Sequence, residues 1–231
     1  MTLVSVVIPV HDGARHLAEA IESALAQEGP AVEVVVVDDG STDASASVAR
    51  SYAPDVRLLE REHAGPAAAR NAGIAAARGT HLAFLDADDL MPRRAIAARL
   101  EEGGSVRAPA DLVWGRVRCF VSPELGPAEA ARLACPPGPV PGRIGGGLLI
   151  RRAACTALGP MPTHLRVGEF IAWAARAPEL DLREREVEDV VLHRRLHRGN
   201  MGRGRPEARG DYARLLKEML DRRRGASEAS A

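Results

Sequence analysis

Three carboxylates lie almost side by side in the run Asp86-Ala87-Asp88-Asp89, directly after the apolar residues 82–85. An apolar run of this length predicts a buried strand, and carboxylates at its carboxyl end lie at the sheet edge where ligands bind. Carboxylates this close repel one another unless a cation lies between them, and Mg²⁺ and Mn²⁺ favour oxygen ligands. The alternative is that the acids cap a helix expected to begin near Pro92.

Polar clusters also follow two other predicted strands. The strand at 3–10 is followed by the turn 11–13, and the strand at 32–37 is followed by the acidic turn 38–43. Helices are predicted over 14–27, 66–78 and 92–100, and a short third strand over 56–59. Strands that alternate with helices predict a doubly wound α/β sheet, whose carboxyl edge gathers all three clusters. Asp38 or Asp39 is placed there to accept hydrogen bonds from a ribose or a base.

The turn after the first strand also excludes two classes of nucleotide-binding protein. A dinucleotide site requires Gly-x-Gly-x-x-Gly, whereas residues 9–14 read PVHDGA. No Gly-x-x-x-x-Gly-Lys segment of a phosphate-binding P-loop occurs in the chain.

Composition narrows the class of protein further. The net charge is zero, which argues against nonspecific nucleic-acid binding, and 46% apolar residues are enough for a core. Apolar runs are too short for a membrane span, and residues 1–3 do not resemble a secretory signal, so we expect a cytoplasmic protein. The three cysteines fit neither a disulfide framework nor a zinc site, and buried reduced thiols are expected.

Four segments in this order resemble a family 2 glycosyltransferase of the GT-A fold: residues 6–10, 36–43, 69–73 and 84–89. The resemblance implies a Rossmann-like, doubly wound, mostly parallel α/β sheet with a C-terminal acceptor-side extension. Residues 1–104 would form the nucleotide-sugar-binding half, and residues 105–224 would form the acceptor-side half of the same domain. Residues 225–231 are expected to be a disordered tail.

The same resemblance implies which residues bind a nucleoside diphosphate sugar, with uridine the expected nucleoside. The residues expected to contact the donor are Pro9, Val10, His11, Asp38, Asp39, Arg70, Asp86, Ala87 and Asp88. The expected ligands of Mg²⁺ or Mn²⁺ are Asp88, Asp86, Asp89 and, from a late Arg-x-His-x-x-Asn segment, His197. His11 stands where the family usually has tyrosine. From the residues alone, Arg70 is equally compatible with an exposed helix position or an ion pair.

The catalytic base is where the chain departs from the family. A Glu-Asp pair usually begins a late helix there, and its Asp deprotonates the acceptor, but the corresponding residues are Glu169 and Phe170. Glu169 is therefore the remaining candidate base, with a pKa that shielding by Phe170 and Trp173 would raise. Alternatively, Glu169 only stabilises the helix N-terminus.

Later parts of the chain carry weaker patterns. Strands are predicted over 111–117, 148–150 and 187–192, and helices near 169 and over 211–223. Six prolines predict a surface loop over 122–142, and the glycines at 145–147 indicate either a close ligand approach or a bulge. The basic excess over 183–224 is interpreted as a solvated face; contact with diphosphate, an anionic acceptor or a membrane surface is the alternative.

These patterns together predict metal-dependent transfer of a sugar, with inversion, from a nucleoside diphosphate to an acceptor of unknown class. The alternative is a relative that binds a nucleotide sugar without turnover, because Phe170 replaces the expected base. A nucleotidyltransferase would need a basic phosphate-binding loop after the first strand, and residues 9–14 do not provide one.

Overall fold

The computed structural model describes residues 2–104, 109–133, 135–165 and 167–199. The strands in these ranges are β1 (Leu3–Val10), β2 (Ala31–Asp39), β3 (Val56–Arg61), β4 (His81–Phe84), β5 (Leu112–Val121), β6 (Val140–Pro141), β7 (Leu148–Arg151) and β8 (Glu184–Leu196). The α-helices are α1 (Ala14–Leu25), α2 (Ser45–Arg50), α3 (Pro66–Ala76), α4 (Ala95–Gly103), α5 (Pro127–Ala130), α6 (Arg152–Leu158) and α7 (Glu169–Ala174). The predicted helix over 211–223, the tail and Asn200 lie outside the described residues.

The strands form one sheet in the order β3-β2-β1-β4-β7-β5-β6, and β8 pairs with β5. The first four strands are parallel, as the alternation of strands and helices predicted. Strand β7 is antiparallel to both β4 and β5, while β8 is parallel to β5. The doubly wound α/β prediction therefore holds for the first half of the chain, and a mixed sheet follows it.

Helices cover both faces of this sheet, and successive side chains of β1 point to opposite faces. Val6 and Ile8 pack with Leu17 of α1 on one face. Val7 packs on the other face, in the same cluster as Ala69 of α3 and Trp173 of α7. Burial on both faces explains why β1 and β2 are almost continuously apolar.

Helix α4 begins at Ala95, three residues later than predicted, because the residues before it form a turn. The amide of Ala95 donates to the carbonyl of Pro92, and the carbonyl of Arg93 accepts from the amide of Glu28. The N-cap position is Arg94, which makes no side-chain capping bond. The interpretation of residues 86–89 as caps of this helix is therefore wrong.

Strand β8 extends beyond the predicted 187–192 at both ends, because the charged residues there also pair along β5. Val187, Val191 and Leu192 enter the core, whereas Glu186 and Glu188 face the solvent side and pair with arginines. The segment over 122–142 is also not wholly loop, since it contains α5 and β6.

The glycines at 145–147 allow close packing within the protein itself. A Cβ on Gly146 would lie 2.7 Å from the Cδ1 atom of Leu192, and one on Gly147 would overlap the carbonyl oxygen of Gly142. The three residues form a 3₁₀ turn before β7. The structure thus gives these glycines a packing role within the protein, which neither the predicted ligand approach nor the predicted bulge describes.

Two further predictions concern the cysteines and the membrane. Of the three cysteines, Cys155 is buried, but Cys119 and Cys135 are partly exposed, so the expected burial of all three is wrong. Within the described ranges, no helix combines the length and the apolar character needed to cross a lipid bilayer.

Candidate functional site

The carboxyl ends of β1, β2 and β4 meet at one edge of the sheet. Val10 pairs with Asp38 in the β1–β2 ladder, and Val7 pairs with Phe84 in the β1–β4 ladder, so the turns after these strands are neighbours. A cavity of about 760 Å³ opens there, within the size range of small-molecule sites. The predicted site residues on its wall are Pro9, Val10, His11, Asp39, Arg70, Asp86, Ala87, Asp88, Asp89 and His197.

Asp39 is the buried acceptor at the β2 end of the cavity. Its Oδ2 accepts from the amide of Gly65 at 2.7 Å, both oxygens lie 3.2 Å from the amide of Ala64, and its Oδ1 lies 3.2 Å from Nε of Arg61. These bonds hold the loop after β3 against the end of β2. Asp39 therefore shapes the wall of the cavity as well as lining it.

Two histidines lie together beside Asp39. The Nδ1 atoms of His11 and His63 each lie 3.0 Å from the Asp39 carbonyl oxygen, which can only accept, so both Nδ1 atoms donate. The ring centroids are 4.0 Å apart and the planes are tilted by 30°. With the proton on Nδ1, each neutral ring keeps Nε2 as an acceptor.

Asp38 does not reach the cavity, although it was expected to contact the donor. Its Oδ1 accepts from the amide of Ser41 at 2.9 Å and so closes the turn after β2. Asp12 fastens the neighbouring turn in the same way, because its Oδ1 accepts from the amide of Thr42 at 2.7 Å. That hydrogen bond is the main reason why the pKa of Asp12 is lowered. Of the two adjacent aspartates, Asp39 is the one that lines the cavity.

Arg70 joins two carboxylates that come from distant parts of the chain. Its Nη2 donates to Oδ1 of Asp86 at 2.7 Å, and its Nη1 donates to Oε1 of Glu169 at 2.7 Å. The guanidinium is buried, and burial alone would lower the pKa of Arg70. The charges of Asp86 and Glu169 outweigh that effect, so the pKa is raised. Of the two alternatives for Arg70, the ion pair holds.

Glu169 lies behind Arg70 and does not line the cavity. It is buried, and it is the first residue of α7, whose N-cap is Gly168 with a left-handed φ of 80°. Phe170 packs in the core, edge-on to Phe84 with centroids 5.4 Å apart, and its ring is not on the wall. A base role for Glu169 stays a prediction that this position does not favour, because the carboxylate is ion-paired.

The end of β8 is held against the acidic residues 86–89 by hydrogen bonds from Arg195. The amide of Arg195 donates to Oδ1 of Asp89 at 2.8 Å, and Nε of Arg195 donates to the carbonyl oxygen of Asp88 at 2.9 Å. Burial, followed by the charges of Asp88 and Asp86, raises the pKa of Asp89 well above its ordinary value. Asp89 therefore anchors β8, which leaves Asp86 and Asp88 as the more accessible carboxylates.

His197 directly contacts Asp88. Its Nε2 lies 2.8 Å from Oδ2 of Asp88, and its Nδ1 accepts from the amide of Gly199 at 3.1 Å. Since the carboxylate accepts and Nδ1 also accepts, the proton of the neutral ring lies on Nε2. In this arrangement His197 orients Asp88, and ligation of a metal by its Nε2 would require that proton to move.

The oxygen donors fit a divalent cation that is shared with a substrate. Within the described ranges, no group of three or more His, Cys, Asp or Glu side chains is arranged to hold a metal alone. Mg²⁺ sites of phosphate-bearing substrates use one or two carboxylates together with phosphate oxygens. Asp88, with Asp86 beside it, provides such a partial ligand set on the cavity wall.

Residues 122–133 close the far side of the cavity, and the sequence predicted them only as part of a surface loop. We refer to residues 122–133 as the strap. Glu124 lies 3.8 Å from Nη2 of Arg15 and 3.6 Å from Nε2 of His16, and Glu129 pairs with Arg198. Burial, with a smaller effect from Arg195, lowers the pKa of His16. The strap thus places carboxylates against the basic groups of the opposite wall.

Several wall residues were missed at the sequence level, among them Arg15, His16, His63, Glu124 and Glu129. For His63 a usable signal existed, because it follows the carboxyl end of β3, which lies at the same edge as the predicted turns. The strap glutamates had no such signal, since their position depends on β5 and β8.

Curated relatives match the first part of the chain. One is described as "Uncharacterized glycosyltransferase YibD" of Escherichia coli K12, 43% identical over 88 residues, covering 37% of this chain and 26% of the relative. Another is the "Succinoglycan biosynthesis protein ExoO" of Rhizobium meliloti, 54% identical over 88 residues, covering 37% of this chain and 25% of the relative. The chain therefore matches about a quarter of the length of these relatives.

Solved structures share the fold over almost all of the chain. S. aureus TarS residues 1–349, in complex with UDP, has a TM-score of 0.68 at 20% identity and covers 95% of this chain and 65% of that one. The mannosyltransferase PcManGT of Pyrobaculum calidifontis, with GDP-Man and Mn²⁺, has a TM-score of 0.65 at 24% identity and covers 95% of this chain and 63% of that one. These likenesses confirm the predicted GT-A type of fold.

The family model described as Glycosyl transferase family 2 matches residues 5–159. This range begins within β1, contains β2 to β4, all four predicted motif segments and Arg70, and extends through α6. Because the match spans more than half of the chain, the chain belongs to glycosyl transferase family 2.

Proposed function

We propose that this protein transfers a sugar from a nucleoside diphosphate sugar to an acceptor, with a divalent cation and with inversion by direct displacement. The observation that carries the proposal is the convergence of Asp39, Arg70, Asp86 and Asp88 around one cavity at the carboxyl edge of the parallel strands. Family membership supports sugar transfer as the chemistry. The structural relatives described with UDP, UDP-GlcNAc and GDP-Man support a nucleotide sugar as the donor.

The nucleoside is proposed to lie against Asp39 and the His11–His63 pair. Both rings offer an aromatic face, and the Nε2 lone pairs accept hydrogen bonds. The N3–H of uracil is a donor of that kind, which is consistent with the expected uridine. Guanine also presents N–H donors, so GDP is the nucleotide to compare with UDP.

The diphosphate is proposed to lie beside Asp88 and Asp86, which would hold Mn²⁺ or Mg²⁺ together with phosphate oxygens. A cation held there would neutralise the charge that develops on the departing diphosphate. His197 keeps Asp88 oriented through the 2.8 Å contact between its Nε2 and Oδ2 of Asp88. Arg15 and Arg198 on the opposite wall add positive charge toward the same anion.

Arg70 is proposed to orient the acidic residues 86–89 for binding of the metal and the diphosphate. Its ion pair with Glu169 holds the guanidinium, and the guanidinium in turn holds Asp86 at the cavity wall. Direct displacement also needs a base for the acceptor proton. Glu169 can take that role only when its bond to Arg70 opens; in the closed arrangement it is a positioning residue.

A second candidate function is nucleotide-sugar binding without turnover. Phe170 favours this binding function, because the residue after Glu169 is buried away from the cavity and carries no carboxylate that could act as a base there. Binding of nucleotide and metal on the wall of β1, β2 and β4 does not depend on that position.

One experiment separates these functions. A thermal-shift panel of UDP, GDP, CDP and ADP, each with and without Mn²⁺, measures binding, because a ligand that binds the folded state stabilises it. Release of the nucleoside diphosphate from matching nucleotide sugars measures turnover. The Asp88→Asn variant removes the proposed ligand, and Asp55→Asn is the control because Asp55 is exposed and precedes β3 at the opposite edge.

Transfer is supported by a Mn²⁺-dependent shift and by turnover that Asp88→Asn abolishes and Asp55→Asn retains. A shift without turnover in the presence of varied acceptors supports the binding function instead. No shift with any nucleotide, or full metal-dependent activity of Asp88→Asn, contradicts the proposed site.

A further inference from the structure

Two cysteines flank the strap and lie against each other in the fold. Cys119 is in β5 before the strap, and Cys135 follows it. The Sγ of Cys135 lies 3.4 Å from the carbonyl oxygen of Cys119, within the range of a thiol hydrogen bond. Both residues are partly exposed, and all three cysteines of the chain are reduced in this structure. The strap thus lies between two cysteines, and the sulfur of Cys135 lies beside the backbone of Cys119.

We propose that Cys119 and Cys135 are a redox modification site, at which a reversible disulfide closes the chain around the strap. The two residues are 16 apart in sequence, so the bond would enclose the strap and little else. Thiol pairs that form reversible disulfides must be accessible to an oxidant and close enough to react with each other. Both residues are partly exposed, which meets the first condition, and the 3.4 Å contact between the Cys135 sulfur and the Cys119 carbonyl oxygen places the two residues side by side.

Oxidation by a small-molecule disulfide, such as oxidised glutathione, needs no other reactant. The thiolate of Cys135 attacks one sulfur of the oxidant, which leaves a mixed disulfide on Cys135 and releases one glutathione thiol. The thiolate of Cys119 then attacks the Cys135 sulfur, forms the intrachain S–S bond and releases the second glutathione. The protein loses two hydrogens, and the oxidant is reduced to two thiols.

The third cysteine provides an internal control. Cys155 lies in α6, packed in the core cluster that contains Trp173 and Leu158. Burial raises the pKa of its thiol to about 11. A thiol that is both enclosed and protonated reacts slowly with an oxidant. The reaction should therefore select Cys119 and Cys135 over Cys155.

The disulfide would act on the wall of the cavity. The strap carries Glu124, which contacts Arg15 and His16, and Glu129, which pairs with Arg198. Joining the two ends of the strap restricts how far these carboxylates can move from the basic wall. Oxidation should accordingly slow the opening of the strap.

The test uses the full chain and no nucleotide. The protein is equilibrated in mixtures of oxidised and reduced glutathione, remaining thiols are blocked with iodoacetamide, and intact mass and peptide maps are recorded. We expect a species lighter than the reduced and blocked protein by about 116 Da, which corresponds to two missing carbamidomethyl groups and two hydrogens, with a peptide that links Cys119 to Cys135. Hydrogen exchange of strap amides should be slower in this species than in the reduced protein.

Three variants decide the assignment. Cys119→Ser and Cys135→Ser should each abolish the linked peptide, whereas Cys155→Ser should retain it. Glutathione adducts on both cysteines without an intrachain bond, a link that includes Cys155, or unchanged exchange of the strap would overturn the proposal. None of these readouts depends on a nucleotide or a sugar. Failure of this proposal can therefore be distinguished from failure of the proposed function.

Discussion

Arg70 and Glu169 form a buried ion pair, 2.7 Å between Nη1 and Oε1, that links helix α3 to the first residue of α7. The same guanidinium holds Asp86 through Nη2, also at 2.7 Å. This relationship connects the C-terminal half of the chain to the acidic residues that follow β4. It assigns Glu169 a positioning role that neither of its two sequence-based interpretations contained.

Removing one partner of this ion pair should strongly destabilise the protein. Arg70→Met leaves Glu169 as a buried charge without its partner, and we expect a loss of about 3–5 kcal/mol in the free energy of unfolding. Glu169→Gln keeps a hydrogen-bond acceptor and should cost less. Urea unfolding measures both variants. Arg50→Met, which removes an exposed pair with Glu60, is the control and should have a far smaller effect; an equal effect would contradict the assignment.

His63 should contribute to nucleotide affinity. His63→Ala removes one ring of the His11–His63 pair and one bond to the Asp39 carbonyl, so we expect about tenfold weaker UDP binding in calorimetry, because one stacked base is worth about 1–3 kcal/mol. His164→Ala, at an exposed position away from the cavity wall, should bind as the unmodified protein does. Unchanged affinity of His63→Ala would place the base elsewhere.

His197 should affect the metal more than the nucleotide. His197→Ala removes the group that orients Asp88, and changes in such supporting partners typically lower metal affinity about 10–100-fold. We therefore expect a weaker stimulation of UDP binding by Mn²⁺, with metal-free binding little changed. Titrations of Mn²⁺ at constant UDP, compared with His164→Ala, provide the measurement. A loss of metal-free binding alone would instead indicate a direct contact with the nucleotide.

Gly73 should be required for the packing of α3 on the sheet. A Cβ at this position would overlap Cγ1 of Val7 and lie 3.2 Å from Cγ2 of Val37. Gly73→Ala should therefore lower the free energy of unfolding by about 1–3 kcal/mol, as overpacked cores do. At Gly126 a Cβ meets nothing within 4 Å, so Gly126→Ala should be nearly neutral in the same denaturation experiment. Equal stabilities would show that α3 can move away from the sheet.

Stability should fall as the pH drops below about 6.5. Burial lowers the pKa of His81, and burial together with Arg118 lowers the pKa of His193, from the ordinary value of 6.5. The unfolded chain then binds more protons than the folded chain between the lowered and ordinary pKa values, so the free energy of unfolding decreases on acidification through that window. Denaturation midpoints between pH 7.5 and 5.5 measure the slope, which His81→Gln should reduce. If His81→Gln leaves the slope unchanged, groups other than His81 cause the loss of stability at low pH.

Local sequence was enough to predict the part of the cavity wall that β1, β2 and β4 position. The three predicted polar clusters each lie at the carboxyl end of a strand, and parallel strands bring their carboxyl ends to the same edge. The positions of Asp39, Asp86 and Asp88 on one wall follow from those two facts, as does the doubly wound order of β1 to β4. The alternation of apolar and polar residues is a local property of the sequence, so it can be recognised without knowledge of the fold.

Only the tertiary structure decided which side chains face one another across long stretches of chain. The ion pair of Arg70 and Glu169 spans 99 residues, and the bond between Asp88 and His197 spans 109. The contact between Cys135 and Cys119, which spans 16 residues, likewise depends on how the chain after the strap folds back onto β5. Such contacts are set by sheet order and core packing, which local residue patterns do not encode.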